Sequence, residues 1–408
     1  MSERNIIVGL DLGSHRVRLL VAQVDAQGRR KVLGLGTAPS EGIRKGLIVD
    51  FESAVESIRQ AREEAEASSG LEINSAFVGL GGQHFRVIRS EGVHVKDGPS
   101  REISAEDVRQ VVRVARGLQL PAGLRILHTL PVDFILDNRS GIKDPVGMDG
   151  VRLQSQVLLV LGDESVLENS AKAVRKAGMD VEGLVFRPLA TAMAAMTRDE
   201  KDAGTVLLDI GEGCAEILVL HEGALAHAEV LPLGGGNVTR DLSIALSISL
   251  SDAEALKQEY GARLGNLNDE TVFSITQLGA SEARQVTART LRSIVDPRQR
   301  EILELAWERA QKVEAARRPS TGIVLCGGAS LMPGMASLAA ELFDRGVRLG
   351  DPVNREGLLA ELQDPRYTPV VGLLDYGYKK LREETAKASG AGRGKGRVGR
   401  ILKAFGRG

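Results

Sequence analysis

A strand–turn–strand unit occurs twice in this chain. The first copy reads IIVGLDLGSHRVRLLVAQV from Ile6, and the second reads TVLLDIGEGCAEILVLHEG from Thr205. Each has an apolar run, an Asp, one aliphatic residue, a Gly and a second apolar run. Asp209 repeats Asp11, and Gly211 repeats Gly13, at one common offset. Runs such as Ile6–Leu10 and Val17–Val24, rich in β-branched residues and parted by a short Gly-containing turn, predict β-hairpins. Gly13 and Gly211 permit positive φ and let the backbone approach a ligand. Successive N–H groups in such a turn form an anion-binding concavity. Asp11 and Asp209 then stand at strand ends facing phosphate. A lone carboxylate there repels a triphosphate, but fits if it holds Mg2+ through water. A single copy reads equally well as an ordinary hairpin. Two copies, each opening one half of the chain, describe a nucleotide clamp.

Two more Gly-rich turns extend the pattern. Ile323–Cys326 reads as a buried strand, followed by Gly327-Gly328 and a helix start. A Gly pair after a parallel strand suits close approach to a nucleobase or phosphate. Pro232-Leu-Gly-Gly-Gly-Asn-Val-Thr239 ends a strand and opens a helix near Asn237, and helix N-termini attract phosphate. In this order, the four turns resemble the actin, Hsp70 and sugar-kinase superfamily of ATP-binding proteins. Within it the chain resembles the FtsA family of bacterial division proteins, over nearly all 408 residues. GIRKGLIVD (Gly42–Asp50), HTLP (His128–Pro131), GIKDPVGMDGVRL (Gly141–Leu153) and SDAEALK (Ser251–Lys257) carry that narrower likeness.

The resemblance implies an α/β, actin-like (ribonuclease H-like, duplicated) two-lobed fold with an FtsA-type inserted subdomain and a C-terminal amphipathic helix. Residues 1–82 and 163–204 would form the first lobe, with 83–162 inserted. Residues 205–236 and 309–383 would form the second lobe, with 237–308 as its helical upper subdomain. Within these spans, periodicity predicts helices at Phe51–Ser69, Asp163–Lys176, Leu189–Thr197, Ala280–Ile294, Gln299–Ala316 and Val370–Leu381. Ser104-Ala-Glu-Asp107 reads as a capping box with Asp at its third position.

The resemblance also assigns roles. Asp11, Gly13, Ser14, His15 and Arg16 form the first phosphate loop, with Arg16 where the family usually has Lys. Asp209, Gly211, Gly213 and Cys214 form the second. Here the family commonly reads DIGGGT, whereas this chain has Glu212 and Cys214, an added charge and a weak donor. Gly235, Gly236 and Asn237 make a third phosphate contact. Glu254 and Lys257, three apart on one helix face, match residues that touch ribose and adenine; the bland alternative is an exposed salt bridge. Gly327, Gly328 and Ala329 face the adenosine. The implied ligands are ATP and Mg2+, the latter at Asp11 and Asp209. ATP-hydrolysing relatives place a Glu or Gln before the helix that corresponds to Leu189–Thr197. Arg187 stands nearest that position and cannot act as a base. Slow or negligible hydrolysis is expected, with ATP as a structural ligand that closes the two halves.

Length alone implies two or more domains. A hydrophobic share of 43% with 26% charged residues indicates a globular protein, and a net charge of −1 gives no global pull toward nucleic acid. No apolar run reaches membrane-spanning length, and the N-terminus enters a strand at once, so no signal peptide is expected. Cys214 and Cys326 read as reduced thiols without metal-ligand spacing.

The last residues change character. Residues 384–396 are rich in Ala, Gly, Ser and basic side chains and read as a flexible linker. In residues 397–408, Val398, Ile401, Leu402 and Phe405 share an arc of about 100° on a helix. Arg397, Arg400, Lys403 and Arg407 fill the other side. A basic amphipathic helix behind a linker reads as a membrane-surface anchor. Each buried apolar side chain contributes roughly 1.5–3 kcal/mol and each basic residue about 1 kcal/mol, against about 1–2 kcal/mol per residue ordered. The sum is small for one molecule, so many tails acting together in a polymer are needed. Docking on the protein itself, or contact with nucleic acid, are the alternatives. The apolar spacing has no role on nucleic acid.

By the resemblance, the protein polymerises at the cytoplasmic face of the inner membrane at the division site. There it tethers FtsZ filaments and recruits later division proteins through residues 83–162. The region near Ala280–Trp307 is the implied site for the FtsZ tail, with Arg289 and Arg292 as candidates; a solvated basic face is the alternative. A PilM-type pilus or secretion scaffold is the second reading, disfavoured by the basic tail. A sugar or acid kinase is the third, and it lacks a persuasive carboxylate base.

Overall fold

The structure is a computed structural model that describes residues 5–388, apart from positions 26, 28, 98–99, 263–267, 318–320 and 354–355. The two hairpins seed two sheets of one topology. In the first, Asn5–Leu12 pairs antiparallel with Arg16–Val24, and that strand with Arg30–Pro39. Ser75–Leu80 and Asp180–Phe186 add in parallel on the other side. In the second, Thr205–Ile210 pairs antiparallel with Ala215–His221, and that strand with Ala224–Leu231. Ile323–Cys326 and Val347–Leu349 add in parallel. This plan, built twice, is the duplicated actin-like fold. Thr205–Ile210 is buried along its whole length, which is why Val206, Leu207 and Leu208 follow one another without alternation.

Local chemistry sets the helix ends. Phe51–Ser69 starts where the Asp50 side chain accepts from the Ser53 N–H, and stops at Gly70 in the left-handed region. The inserted segment is a four-stranded antiparallel sheet in the order Phe85–Val95, Arg152–Asp163, Leu124–Leu136, Arg139–Ile142. Helix Ala105–Arg116 covers it behind the expected capping box of Ser104 and Asp107. Ile103, Val108, Val111, Phe134, Leu136 and Leu153 form a small core there.

The region above the second sheet departs from expectation. Residues 280–287 are not helical. Val272–Thr276 and Ala283–Thr287 form an antiparallel hairpin, with Phe273, Ile275 and Val286 turned into the core. Alternation over that short stretch outweighs its helix-forming residues. The two expected helices that follow are one, Ala288–Ala310, which runs through Pro297. An interior Pro costs roughly 3 kcal/mol. Burial of Leu291, Val295, Ile302 and Leu303 on both sides of it offsets that cost.

The final helix, Thr368–Ala388, was expected with the second lobe but packs on the first sheet. Val370, Val371, Leu373 and Leu374 join Ile7, Leu20 and Phe77 in one cluster. Its close approach to helix Arg187–Ala195 depends on Gly372, where a Cβ would clash with the Ala190 carbonyl. The helix also takes in residues 384–388, which the sequence assigned to the linker. The rest of that linker and the amphipathic helix at 397–408 lie outside the described residues.

His128 ties the inserted sheet to the helix Arg187–Ala195. Its Nε2 accepts the Phe186 N–H at 2.9 Å, and the Tyr376 ring stands edge-on to it. Burial, with Lys380 and Lys379 nearby, lowers its pKa to about 3. In the unfolded chain a histidine titrates near 6.5, so between these values the unfolded state binds more protons. Stability is therefore full above about pH 6.5 and is lost as pH falls toward 3. Between neutral pH and about pH 5, urea unfolding should show a loss of roughly 1–2 kcal/mol that His128→Gln lacks. Equal losses in the two proteins would contradict this.

Candidate functional site

Both hairpin turns open into one cleft of about 600 Å³ between the lobes, a volume suited to a nucleotide-sized ligand. Asp11, Gly13, Ser14, His15 and Arg16 line it from the first lobe, and Asp209, Gly211, Gly213 and Cys214 from the second. Gly235, Glu254 and Lys257 form one wall, and Gly327, Gly328 and Ala329 another. Gly236 and Asn237 do not face the cleft. The Gly236 N–H donates to Glu212 O at 2.8 Å, and Asn237 Oδ1 accepts from the Gly234 N–H at 3.1 Å.

The glycines work differently from the expectation at the two turns. Neither Gly13 nor Gly211 has positive φ. Gly13 is needed for space, because a Cβ would stand 2.6 Å from Arg16 O. Gly211 leaves the cleft floor open while its carbonyl accepts from the Gly235 N–H at 2.9 Å. Gly327 does need the left-handed region, at φ +82°. A Cβ on Gly213 would meet Lys45 Cα at 2.9 Å, and Lys45 Nζ donates to Pro232 O at 2.9 Å. The GIRKGLIVD segment thus clasps the second turn across the cleft.

Glu254 and Lys257 are more than an exposed pair. Lys257 Nζ donates to Glu254 Oε2 at 2.6 Å, to Thr239 Oγ1 at 2.8 Å and to Gly235 O at 3.3 Å. The cluster braces the start of helix Gly235–Leu246. Glu212 faces the cleft, and burial raises its pKa despite Lys257. Burial pushes the Cys214 thiol up to about 12, so it stays protonated. Cys326 is a buried free thiol outside the cleft lining, donating to Gly350 O. His15 is held toward its neutral form, chiefly by burial.

Two residues of the floor escaped the sequence reading. Glu216 is fully buried, and Arg187 grips it through Nη2–Oε1 at 2.7 Å and Nε–Oε2 at 3.1 Å. Burial pushes Glu216 up to about 7 against the pull of Arg187. Burial works against the Arg187 charge, but Glu216, Asp11 and Asp209 outweigh it and raise its pKa. Arg18, beside Asp11 in the hairpin register, lies over the Tyr367 ring at 5.2 Å. The duplication held the signal: Arg18 and Glu216 occupy equivalent places in the two copies, each opposite its Asp. Asp209 Oδ2 accepts from Thr191 Oγ1 at 2.9 Å. Burial raises the pKa of both Asp11 and Asp209, with Arg187 opposing.

The floor does not fit a metal ion held by the protein itself. Mg2+ needs near-octahedral oxygen ligation. Asp11 Oδ1 lacks a hydrogen-bond partner, but a guanidinium nitrogen of Arg187 already stands 3.7 Å away. Among the described residues no group of three or more His, Cys, Asp or Glu could hold an ion.

Arg289 and Arg292 lie on the helix Ala288–Ala310, away from this cleft. Each is already paired, Arg289 with Glu270 at 3.0 Å and Arg292 with Asp269 at 2.7 Å. Among the described residues no helix is long and apolar enough to cross a membrane.

Comparison with known proteins agrees with this architecture. Residues 206–372 match the family "Cell division protein FtsA", and residues 82–161 match "SHS2 domain inserted in FTSA". The cell division protein FtsA of Pseudomonas aeruginosa is 39% identical, over 92% of this chain and 90% of that protein. FtsA of Bacillus subtilis is 34% identical, over 95% and 87%. Among solved structures, the PilM-PilN type IV pilus biogenesis complex aligns with a TM-score of 0.65 at 17% identity, covering 91% of this chain and 98% of that one. MreB5 of Spiroplasma citri bound to AMPPNP aligns at 0.55 and 13%, covering 96% and 100%. Identities that low establish the fold alone, so the likeness to PilM does not revive the pilus reading. The sequence relationship is what decides: this chain belongs to the FtsA family of cell division proteins.

Proposed function

We propose that this protein binds ATP in the interlobe cleft, polymerises on the cytoplasmic face of the inner membrane at the division site, and tethers FtsZ filaments there. The observation that carries the reading is the single cleft built from both Asp-x-Gly turns and the Gly-rich turns at 235 and 327–329. The two Asp-x-Gly turns suit the phosphates, whereas the N–H groups of Gly235 and Gly236 are already donated to Gly211 O and Glu212 O. Glu254 and Lys257 suit the ribose and adenine edge, and Gly327, Gly328 and Ala329 the adenosine. Asp11 and Asp209 stand at the end of the cleft where the phosphates would lie, beside Arg187. Arg187 occupies Glu216, so that carboxyl is not free to activate water. ATP then acts as a latch between the lobes, with weak or no hydrolysis.

Residues 397–408 supply the membrane contact through Val398, Ile401, Leu402 and Phe405, with Arg397, Arg400 and Lys403 against anionic headgroups. An acidic FtsZ tail would compete with Asp269 and Glu270 for Arg292 and Arg289. The inserted sheet would meet neighbouring subunits and later division proteins.

The test is pelleting with anionic liposomes and ATP, with and without residues 397–408, and with FtsZ added. The full chain should pellet and carry FtsZ with it. Deletion should reduce pelleting by about tenfold or more. Undiminished membrane binding after deletion would reject the anchor, and FtsZ left in the supernatant would reject the tether.

A further inference from the structure

The cleft floor carries an unusual charge arrangement. Two carboxylates line it, Asp11 at 3% exposure and Asp209 at 4%, and a third, Glu216 at 0%, is buried against Arg187. Their fixed counter-charge is Arg187, at the first turn of helix Arg187–Ala195. Its fork is spent on Glu216, while Nη1 points toward the unpartnered Asp11 Oδ1 at 3.7 Å. Gly81 makes room for the pair. A Cβ there would clash with Glu216 Oε1 and stand 2.7 Å from Arg187 Nη2. On the other side of Asp11, Arg18 adds a second guanidinium. Its Nε is buried without a hydrogen-bond partner.

We infer that Arg187 is the resident cation of this cleft, supported by Arg18, so that ATP binds with little dependence on Mg2+. The inference rests on the nucleotide reading above. Buried acids facing a triphosphate need positive charge between them. A divalent ion supplies it in sites built to hold one. Here a guanidinium supplies it, permanently protonated and covalently part of the chain. A divalent ion brought close to Asp11 Oδ1 would meet that guanidinium as a like charge in a poorly screened site. The Glu216 fork fixes the orientation of Arg187 and prevents it from swinging out of the floor. Glu216 is thus a positioning residue, and Arg187 the group that faces phosphate.

The experiment is isothermal titration of the full chain with ATP, in excess Mg2+ and in excess EDTA. The wild-type dissociation constants should agree within about threefold. The paired substitution Arg187→Gln with Glu216→Gln removes the resident cation without burying a lone carboxylate. Its affinity should fall by about tenfold or more when Mg2+ is withdrawn. Arg187→Lys keeps a charge but not the fork, and should remain metal-tolerant if the paired variant does not fold. A wild-type affinity that collapses in EDTA would overturn the inference while leaving the nucleotide reading intact. A paired variant as metal-tolerant as the wild type would also overturn it. No ATP binding under either condition would overturn both.

Discussion

Replacing Arg187 by Ala should destabilise the nucleotide-free protein by about 3–5 kcal/mol in urea unfolding. The change strands Glu216, which is 0% exposed and takes both of its short hydrogen bonds from that one guanidinium. Asp209 lies near enough to raise the pKa of Glu216 further, so the orphaned carboxyl sits in a field of like charge. It must then take up a proton or let water into the floor. The contrast lies in the double substitution Arg187→Met with Glu216→Leu. Two apolar side chains of similar volume leave no unpaired charge, and such replacements are often neutral or stabilising. Most of the lost stability should return. A single Arg187→Ala change that costs less than about 1 kcal/mol would show that the pair is solvated and that the floor is not closed.

The second large effect belongs to Gly327. It sits at φ +82°, between the Ile323–Cys326 strand and the turn Gly328–Leu331 at the cleft. A Cβ there would clash with Ile210 O and stand 2.5 Å from Asp209 Oδ1. Gly327→Val therefore strains the backbone and pushes the second Asp-x-Gly turn into the cleft. ATP affinity should fall by about tenfold or more, a loss above roughly 1.4 kcal/mol. Titration calorimetry measures it, with far-ultraviolet circular dichroism to show that the sheets remain. Unchanged affinity would mean that the Gly327-Gly328 loop does not touch the ligand.

Much of this molecule is legible in its sequence because its signals are local. The bounds of Phe51–Ser69 follow from an Asp cap and a left-handed Gly, and the Ser104–Asp107 box is a four-residue pattern. The two hairpins announce themselves by repetition. What fails depends on tertiary context. Pro297 reads as a helix end, yet burial on both sides carries the helix through it. The Ala283–Thr287 strand is short, and its partner across the hairpin, not its own composition, makes it a strand. The final helix crosses back to the first sheet where Gly9 and Gly79 leave room for Leu373, and Gly372 lets it reach Ala190 on helix Arg187–Ala195, contacts between residues far apart in the chain. Arg187 was visible as a misplaced base, but its partner Glu216 was not. The duplication sets Glu216 opposite Asp209 as it sets Arg18 opposite Asp11, but only the fold brings Arg187 to Glu216.

On the function proposed above, the duplicated turns form a latch that holds ATP without consuming it. The most direct test is the nucleotide content of the protein after incubation with ATP and removal of free ligand, read by chromatography of the released nucleotide. The wild type should retain close to one nucleotide per chain, mostly as ATP, and Gly327→Val should retain little. A wild-type protein that holds no nucleotide, or that converts what it holds rapidly to ADP, would contradict the account.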